Sequence, residues 1–358
     1  VAETVGSEGL VDFLRTLGAT EALIETARAE GNLDYLPTEI VLSRGAELSA
    51  TDLAARTGVG LDLVLRLWRT LGVTVPDAHQ PMFCDRDAAC TALAMQFMPV
   101  DSHADELFRV LGSALARVAE AAVSLYVQTA DPKSDSSEAD VVAWAKDVAD
   151  TTSLALQLGD SMGTIFAHHL RDAIDRQRAA QTEVVDRSLF RLAVGFVDLV
   201  GFTPLSQHAV PAELLSLVGG FEARAFEVAS AHHGRIVKHI GDEVMFVALD
   251  ASAGCAIARD LTNDCSEGIE PRGGVAFGDV ITRHGDYYGP VVNLASRLAE
   301  LAIPREVLVD VATASAGSEA FAFRPAGHRL LKGFDTPIEV FSLDAPTTGG
   351  PDDQIRDR

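Results

Sequence analysis

Cysteine is scarce in this chain of 358 residues: Cys84, Cys90, Cys255 and Cys265 form no CxxC pair. That excludes a zinc-finger framework and leaves too few thiols for a disulfide scaffold. No apolar run approaches the ~20 residues that cross a bilayer, and no basic-then-apolar segment opens the sequence as a signal peptide does. The expectation is a cytoplasmic chain without membrane insertion. Positive charge is also short, with 29 Lys and Arg against 52 Asp and Glu and a formal net charge of −23. Such a surface repels nucleic acid and anionic membranes over most of its exterior. An anionic substrate then needs metal ions or locally placed cations.

Hydrophobic residues at 47% and charged residues at 23% are typical of packed globular chains, and the length favours two domains over a single core. From the start to about residue 180 the apolar residues recur at helical spacing, as in Leu10, Phe13, Leu14 and Leu17, and again in Leu107, Leu111, Leu115 and Val118. Turn formers and charge interrupt this pattern at 131–137. Ser49-Ala50-Thr51-Asp52 reads as a capping box, and the two helical segments that follow are separated by Gly58-Val59-Gly60. That order suits a helix-turn-helix DNA reader. However, Asp52 and Asp62 offset Arg56 and Arg66, so an ordinary packed helix pair is the preferred reading.

A last amphipathic stretch, from Leu154 to Ile174, ends at Arg176-Gln177-Arg178. After Val184 short apolar strands alternate with helices. The expected division is a helical domain with its linker helix at 1–184, a mixed α/β domain at 185–345 and a disordered Pro/Gly/Asp tail at 346–358. The strands are expected to end at Asp198 and to cover 235–239, 244–248, 273–281, 307–310, 321–331 and 338–343. Helices are expected at 204–231, 253–265 and 291–301. The fold class is therefore α+β, an all-helical domain followed by an α/β sandwich.

Chemistry concentrates in the second half. Phe196-Val197-Asp198-Leu199-Val200-Gly201-Phe202-Thr203 sets a carboxylate at the end of a buried strand, ahead of a glycine and a helix start whose N–H groups suit phosphate. Asp242 follows Gly241 in a tight hairpin turn. If the hairpin lies beside the first strand, the two aspartates converge. Two hard oxygen ligands suit magnesium or manganese, which hold a triphosphate and activate an attacking hydroxyl. Asn293 and Arg297, four apart on a helix, project from one face.

On these residues the stretch from about 190 to 343 resembles the class III nucleotidyl cyclase catalytic domain, with its ferredoxin-like core. Asp286-Tyr287-Tyr288-Gly289-Pro290-Val291-Val292-Asn293-Leu294-Ala295-Ser296-Arg297 is similar to the family's second signature, and Leu331-Lys332-Gly333-Phe334 to its third. The resemblance implies that Asp198 and Asp242, with Leu199, bind two divalent ions, magnesium or manganese. It implies that Lys238 and Asp286 read the adenine edge, that Asn293 orients the ribose and that Arg297 stabilises the transition state. It implies too that Lys332 holds the terminal phosphates and that Phe202 and Thr203 contribute to substrate binding. The implied reaction converts ATP to 3′,5′-cyclic AMP and pyrophosphate at sites shared within a homodimer.

Domain order and helical pattern further resemble soluble mycobacterial-type adenylyl cyclases with a helical autoinhibitory domain, which implies regulation by the first domain. His168 and His169 in the linker stretch are candidate sensors of mild acid. Among the remaining residues, His239 reads as a solvated turn residue, Tyr287 and Tyr288 as packing rather than base-stacking groups, and His232-His233-Gly234 as a helix end. Alternatives are a diguanylate cyclase, whose motif Ile240 breaks, a guanylyl cyclase, and a transcription regulator with an inactive cyclase-like domain.

Overall fold

The computed structural model describes residues 8–97, 103–129, 138–180, 189–202, 210–263 and 270–344. The loop expected at 131–137 and the tail from 346 lie outside them. The chain divides into two compact units between His168 and His169.

The first unit is helical: α1 Glu8–Leu17, α2 Glu21–Glu30, α3 Leu36–Leu42, α4 Ala50–Thr57, α5 Leu61–Thr70, α6 Asp85–Phe97, α7 His103–Thr129 and the greater part of α8 Glu138–Ala180. Leu10 and Leu14, one turn apart on α1, are buried with Ile24, Ile40 and Ala145 in a first core. Buried apolar area of this kind, at ~25 cal/mol per Å², outweighs the weak intrinsic stability of ten-residue helices. A second core joins Leu53, Val64, Trp68 and Phe83. There the capping box is present: the Asp52 N–H donates to Ser49 Oγ at 3.1 Å and the Ser49 N–H to Asp52 Oδ2 at 2.9 Å. Gly58 ends α4 with a φ of 68° that L side chains rarely adopt.

The second unit is built on one eight-stranded sheet. Its strands are β1 Leu189–Val200, β2 Arg235–Ile240, β3 Glu243–Ala248, β4 Glu270–Arg283, β5 Asp286–Tyr288, β6 Val307–Asp310, β7 Phe323–Arg329 and β8 Ile338–Leu343. They run in the order β2-β3-β1-β4-β6-β8-β7, with β5 folded back on β4. Among the described strands only the β4–β6 pairing is parallel. One face carries α9 Pro211–Ala231, α10 Ala251–Asn263 and the short α12 Val311–Ala316 around Val197, Phe246 and Ile257. The other carries α11 Pro290–Leu301, with Ala180 from the end of α8, around Phe196, Met245 and Val280.

Gly274 makes the α11 contact possible. A Cβ there would stand 2.2 Å from Ala299 N and 2.4 Å from Ala295 O, so only a bare Cα lets the helix backbone rest on β4.

β1 continues two residues past Asp198, and β4 begins three residues before Gly273. Their antiparallel ladder, from Leu189↔Ile281 to Val200↔Glu270, carries both strands beyond the point where apolar alternation stops. Two short elements were absent from the sequence expectation: β5, three residues long, and α12. The first is a product of its turn. His284 and Gly285 have φ of 57° and 77°, the consecutive positive values of a two-residue hairpin loop, closed by the pair Arg283↔Asp286.

Candidate active site

Asp198 lies in the middle of a row that crosses three strands. It stands opposite Glu243 of β3 on one side and Arg272 of β4 on the other. Directly opposed residues share a face, here the face that carries α11. Arg272 donates from Nε and Nη2 to Asp198 Oδ2, and from Nη1 to the Glu300 carbonyl at 2.8 Å and the Ala302 carbonyl at 3.3 Å. It therefore ties the carboxylate to the C-terminal end of α11. Arg272 was not among the sequence candidates, because β4 was expected to start one residue after it. Read as part of the strand, it is the cation opposite Asp198.

Asp242 occupies the turn between β2 and β3, a two-residue loop closed by Ile240↔Glu243 and begun by Gly241 at a φ of 67°. The aspartates thus come from the end of β1 and from the adjacent β2–β3 turn, as the sequence expectation required. Burial and then the charge of Asp198 raise Asp242 above the usual carboxylate range. Burial, followed by the charges of Asp198, Glu300 and Asp242, pushes Glu243 up to about 7. Negative charge is in excess at this corner, with Arg272 as the counter-charge on Asp198.

This donor set fits a hard divalent cation. Among the described residues no group of three or more His, Cys, Asp or Glu side chains converges as a closed metal cage. An incomplete shell of one or two carboxylates is what magnesium takes when phosphate oxygens and water complete it.

Lys238 and Asp286 form an ion pair between β2 and β5. The Lys238 side chain reaches this face through a bulge. The register of β2 on β3 shifts between Ile236 and Lys238, so that Arg235 opposes Val247, Ile236 opposes Phe246 and Lys238 opposes Met245. Strict alternation would put Lys238 on the face of Ile236. The extra residue turns it to the opposite face, beside Asp286. Asp286 Oδ1 also accepts the Tyr287 N–H at 2.8 Å. A donor and an acceptor are thereby presented side by side.

Asn293 is exposed in the first turn of α11, and Arg297, one turn on, is partly buried and paired with Glu300. Lys332 is exposed in the turn after β7, between the buried Leu331 and Gly333 at a φ of 91°. Leu199 is buried near the end of β1, and Phe202 follows Gly201 at a φ of 89°. Thr203 lies outside the described residues.

His239 departs from the sequence expectation of a solvated turn residue. It lies on β2, and the same bulge sends it to the α9 face. Its ring packs 5.7 Å from that of Phe226, with Nδ1 4.0 Å from Glu222 Oε1 and Nε2 buried without a partner among the described residues. Tyr287 packs, as expected, against the core between the sheet and α11, under the Arg235 guanidinium at 5.5 Å. At the end of α9 the left-handed residue is His233, φ 56°, rather than Gly234. At Gly234 a Cβ would press on Ile257 Cδ1 at 2.4 Å, which the side chain can yield, and on the Val247 carbonyl oxygen at 3.0 Å.

In the first unit, Arg56 pairs with Asp85 and Arg66 with Asp105, so two of the cations of the α4–α5 pair are matched by neighbouring helices. His168 and His169 are both exposed on α8. No described helix is long and apolar enough to cross a membrane.

Comparison with known proteins assigns both halves. Residues 4–174 match the adenylate cyclase regulatory domain family, and residues 185–345 match the adenylate and guanylate cyclase catalytic domain family. An uncharacterized protein of Mycobacterium tuberculosis is 33% identical over 346 residues, 94% of this chain and 89% of that protein. A pH-sensitive adenylate cyclase of the same species is 29% identical over 355 residues, 93% of this chain and 87% of that protein. An adenylate cyclase of Streptomyces coelicolor is 33% identical over 319 residues, 84% of this chain and 82% of that protein. With identity of this order extending through both halves, the chain belongs to the adenylate and guanylate cyclase family, with an adenylate cyclase regulatory domain ahead of its catalytic domain.

Proposed function

We propose that the chain is an adenylyl cyclase that converts ATP to 3′,5′-cyclic AMP and pyrophosphate at sites shared by two copies of itself. The observation that carries this reading is the placement of Asp198 on β1 opposite Glu243, with Asp242 in the turn that immediately precedes Glu243. Asp198, Asp242 and the Leu199 carbonyl would hold two magnesium or manganese ions. When bound, such ions neutralise the triphosphate and make the 3′-hydroxyl a better nucleophile.

The remaining roles belong to side chains. Adenine presents a ring-nitrogen acceptor and an amino donor, which Lys238 and Asp286 match as donor and acceptor. Guanine presents the reverse pattern, which argues against a guanylyl or diguanylate cyclase. Asn293 orients the ribose, Arg297 offsets charge at the α-phosphate, and Lys332, with the Phe202–Thr203 segment, binds the terminal phosphates. The 3′-oxygen forms its bond to the α-phosphorus in line with the departing pyrophosphate oxygen. The α-phosphorus bond to that oxygen breaks, and the hydroxyl proton passes to solvent.

Two-copy assembly is supported by the exposed apolar side chains along α7 and α8, among them Leu107, Leu111, Leu115, Ile165 and Phe166. The regulatory part is taken as 1–184 and the catalytic part as 185–345. Control by the first part, with mild acid as the signal and His168 and His169 as sensors, belongs to the same reading. A steeper gain of activity below neutral pH in the full chain than in residues 184–358 is its test. An inactive, DNA-reading relative is disfavoured by the paired Arg56 and Arg66.

The deciding experiment is cyclic AMP formation from ATP with manganese or magnesium. Asp198→Asn and Asp242→Asn are each expected to remove at least ~10³ of the rate while circular dichroism stays unchanged. Normal turnover in either variant overturns the metal assignment.

A further inference from the structure

A cavity of about 440 Å³ lies wholly within the second unit, between the last turns of α8 and the sheet face of β1, β2, β3 and β5. Its volume falls within the ~300–1,000 Å³ of small-molecule sites. His169, Arg176, His233 and Arg235 line it, and no Asp or Glu is among the described residues that do so. In a chain of net charge −23, a recess with two guanidinium groups and no carboxylate is a local reversal of the field.

Arg235 adds a specific demand. Its Nη2 donates to the Gly285 carbonyl at 3.1 Å and to Tyr287 Oη at 3.3 Å, but its Nε is buried without a hydrogen-bond partner among the described residues. A buried charged donor left unmatched is costly, and an anion held by the rest of the guanidinium offsets part of that cost. Most of the remaining wall is apolar, with Phe190, Leu192, Val247 and Leu249 from the sheet and Ala173 and Ala180 from α8, beside the polar Gln177 and Thr282. Free phosphate or chloride would leave that surface wet, whereas a ring-bearing body would cover it.

We infer that this cavity binds a compact amphipathic anion, a ring system with one carboxylate, sulfonate or phosphate head directed to Arg176 and Arg235. None of Asp198, Asp242, Lys238, Asp286 or Asn293 lines it, so it is separate from the proposed nucleotide residues. It is nonetheless coupled to them. Arg235 shares a face of β2 with Lys238 because of the bulge, and Tyr287 follows Asp286 on β5. An occupant therefore bears on the base-reading pair, a consequence that rests on the function proposed above.

The test uses the full chain and 8-anilinonaphthalene-1-sulfonate, whose fluorescence rises in an apolar site. One saturable site per chain is expected. Arg176→Glu should weaken it by about tenfold or more, as loss of a charge-assisted contact does, and Ala173→Phe should fill the space and remove it. Uncharged N-phenyl-1-naphthylamine should bind at least ~10 times more weakly. Competition by benzoate against phenyl phosphate identifies the preferred head group. Binding is read without cyclase activity, so its failure is distinct from failure of the proposed function. A shift in the KM for ATP on adding the sulfonate reports the coupling. If no saturable site exists, or if Arg176→Glu and the uncharged probe both leave affinity unchanged, the proposal is overturned. Arg176 lies on an α8 surface only partly buried, so that variant remains informative even where Ala173→Phe fails to fold.

Discussion

Arg272 sets its Nε and Nη2 on a single oxygen of Asp198, at 3.1 and 2.8 Å, while its Nη1 holds the last carbonyls of α11. One guanidinium thus connects a carboxylate of the proposed metal site to the helix that carries Asn293 and Arg297. Both members of the pair are about three-quarters buried, where the loss of one partner costs more than it does at the surface.

Arg272→Ala leaves Asp198 facing Glu243 and Asp242 without its cation and frees the end of α11. The expected result is a loss of about 1–3 kcal/mol in urea unfolding and a fall in kcat of more than about tenfold. Arg272→Lys, which keeps the charge but not the fork, should recover stability better than activity. Melting and kinetics like those of the unaltered chain would show the pair to be incidental.

Shared sites make a complementation experiment decisive. Asp198→Ala and Arg297→Ala are each expected to be inactive alone. Mixed and allowed to exchange, they should form heterodimers with one intact site, giving about a quarter of full activity at random pairing. Demonstrated subunit exchange without recovery rules out sites built from two copies.

Gly274→Ala drives a methyl into backbone atoms of α11 at 2.2 and 2.4 Å, which no side-chain rotation relieves. A loss of at least ~3 kcal/mol, or failure to fold, is expected. Gly219→Ala, at a helical position on α9 where nothing lies within 4 Å of the added carbon, is the control and should be neutral or slightly stabilising.

Asp260 ties α9 to α10. It accepts from His232 Nε2 at 2.7 Å and from Arg259 Nε and Nη2 at 2.9 and 2.8 Å. Burial alone would raise its carboxyl, but these hydrogen bonds outweigh burial and hold it below the usual range. A depressed carboxylate stabilises the fold above its unfolded value of about 3.9, and that contribution disappears as pH falls through the folded value. Asp260→Asn should therefore cost about 1 kcal/mol at pH 7, a modest figure because the groups are about one-third exposed. The difference should shrink by pH 3.5 in urea melts; a gap independent of pH would remove the carboxylate as its source.

Much of this molecule was legible in its residues because the relevant signals are local. Helical periodicity, the Ser49–Asp52 capping box and the glycine turns at Gly58 and Gly241 act within a few residues of themselves, so the helical first half and the β2–β3 hairpin follow directly. Asp198 and Asp242 were expected to converge because one closes an apolar run three residues before Gly201 and the other follows Gly241 in a hairpin turn. Other features depended on what lay across the sheet. The face on which Lys238 emerges is decided by a bulge that alternation cannot foresee, since one extra residue reverses every side chain after it. The same reversal seals His239 against α9. Arg272 became part of the site only through the β1–β4 register, which brings together residues 74 positions apart. The sequence by itself determined which segments turn, cap and coil, because those are contests between neighbouring atoms. Only the tertiary structure decided which charges meet, because that depends on strand register, and register is settled by the burial of two whole faces at once.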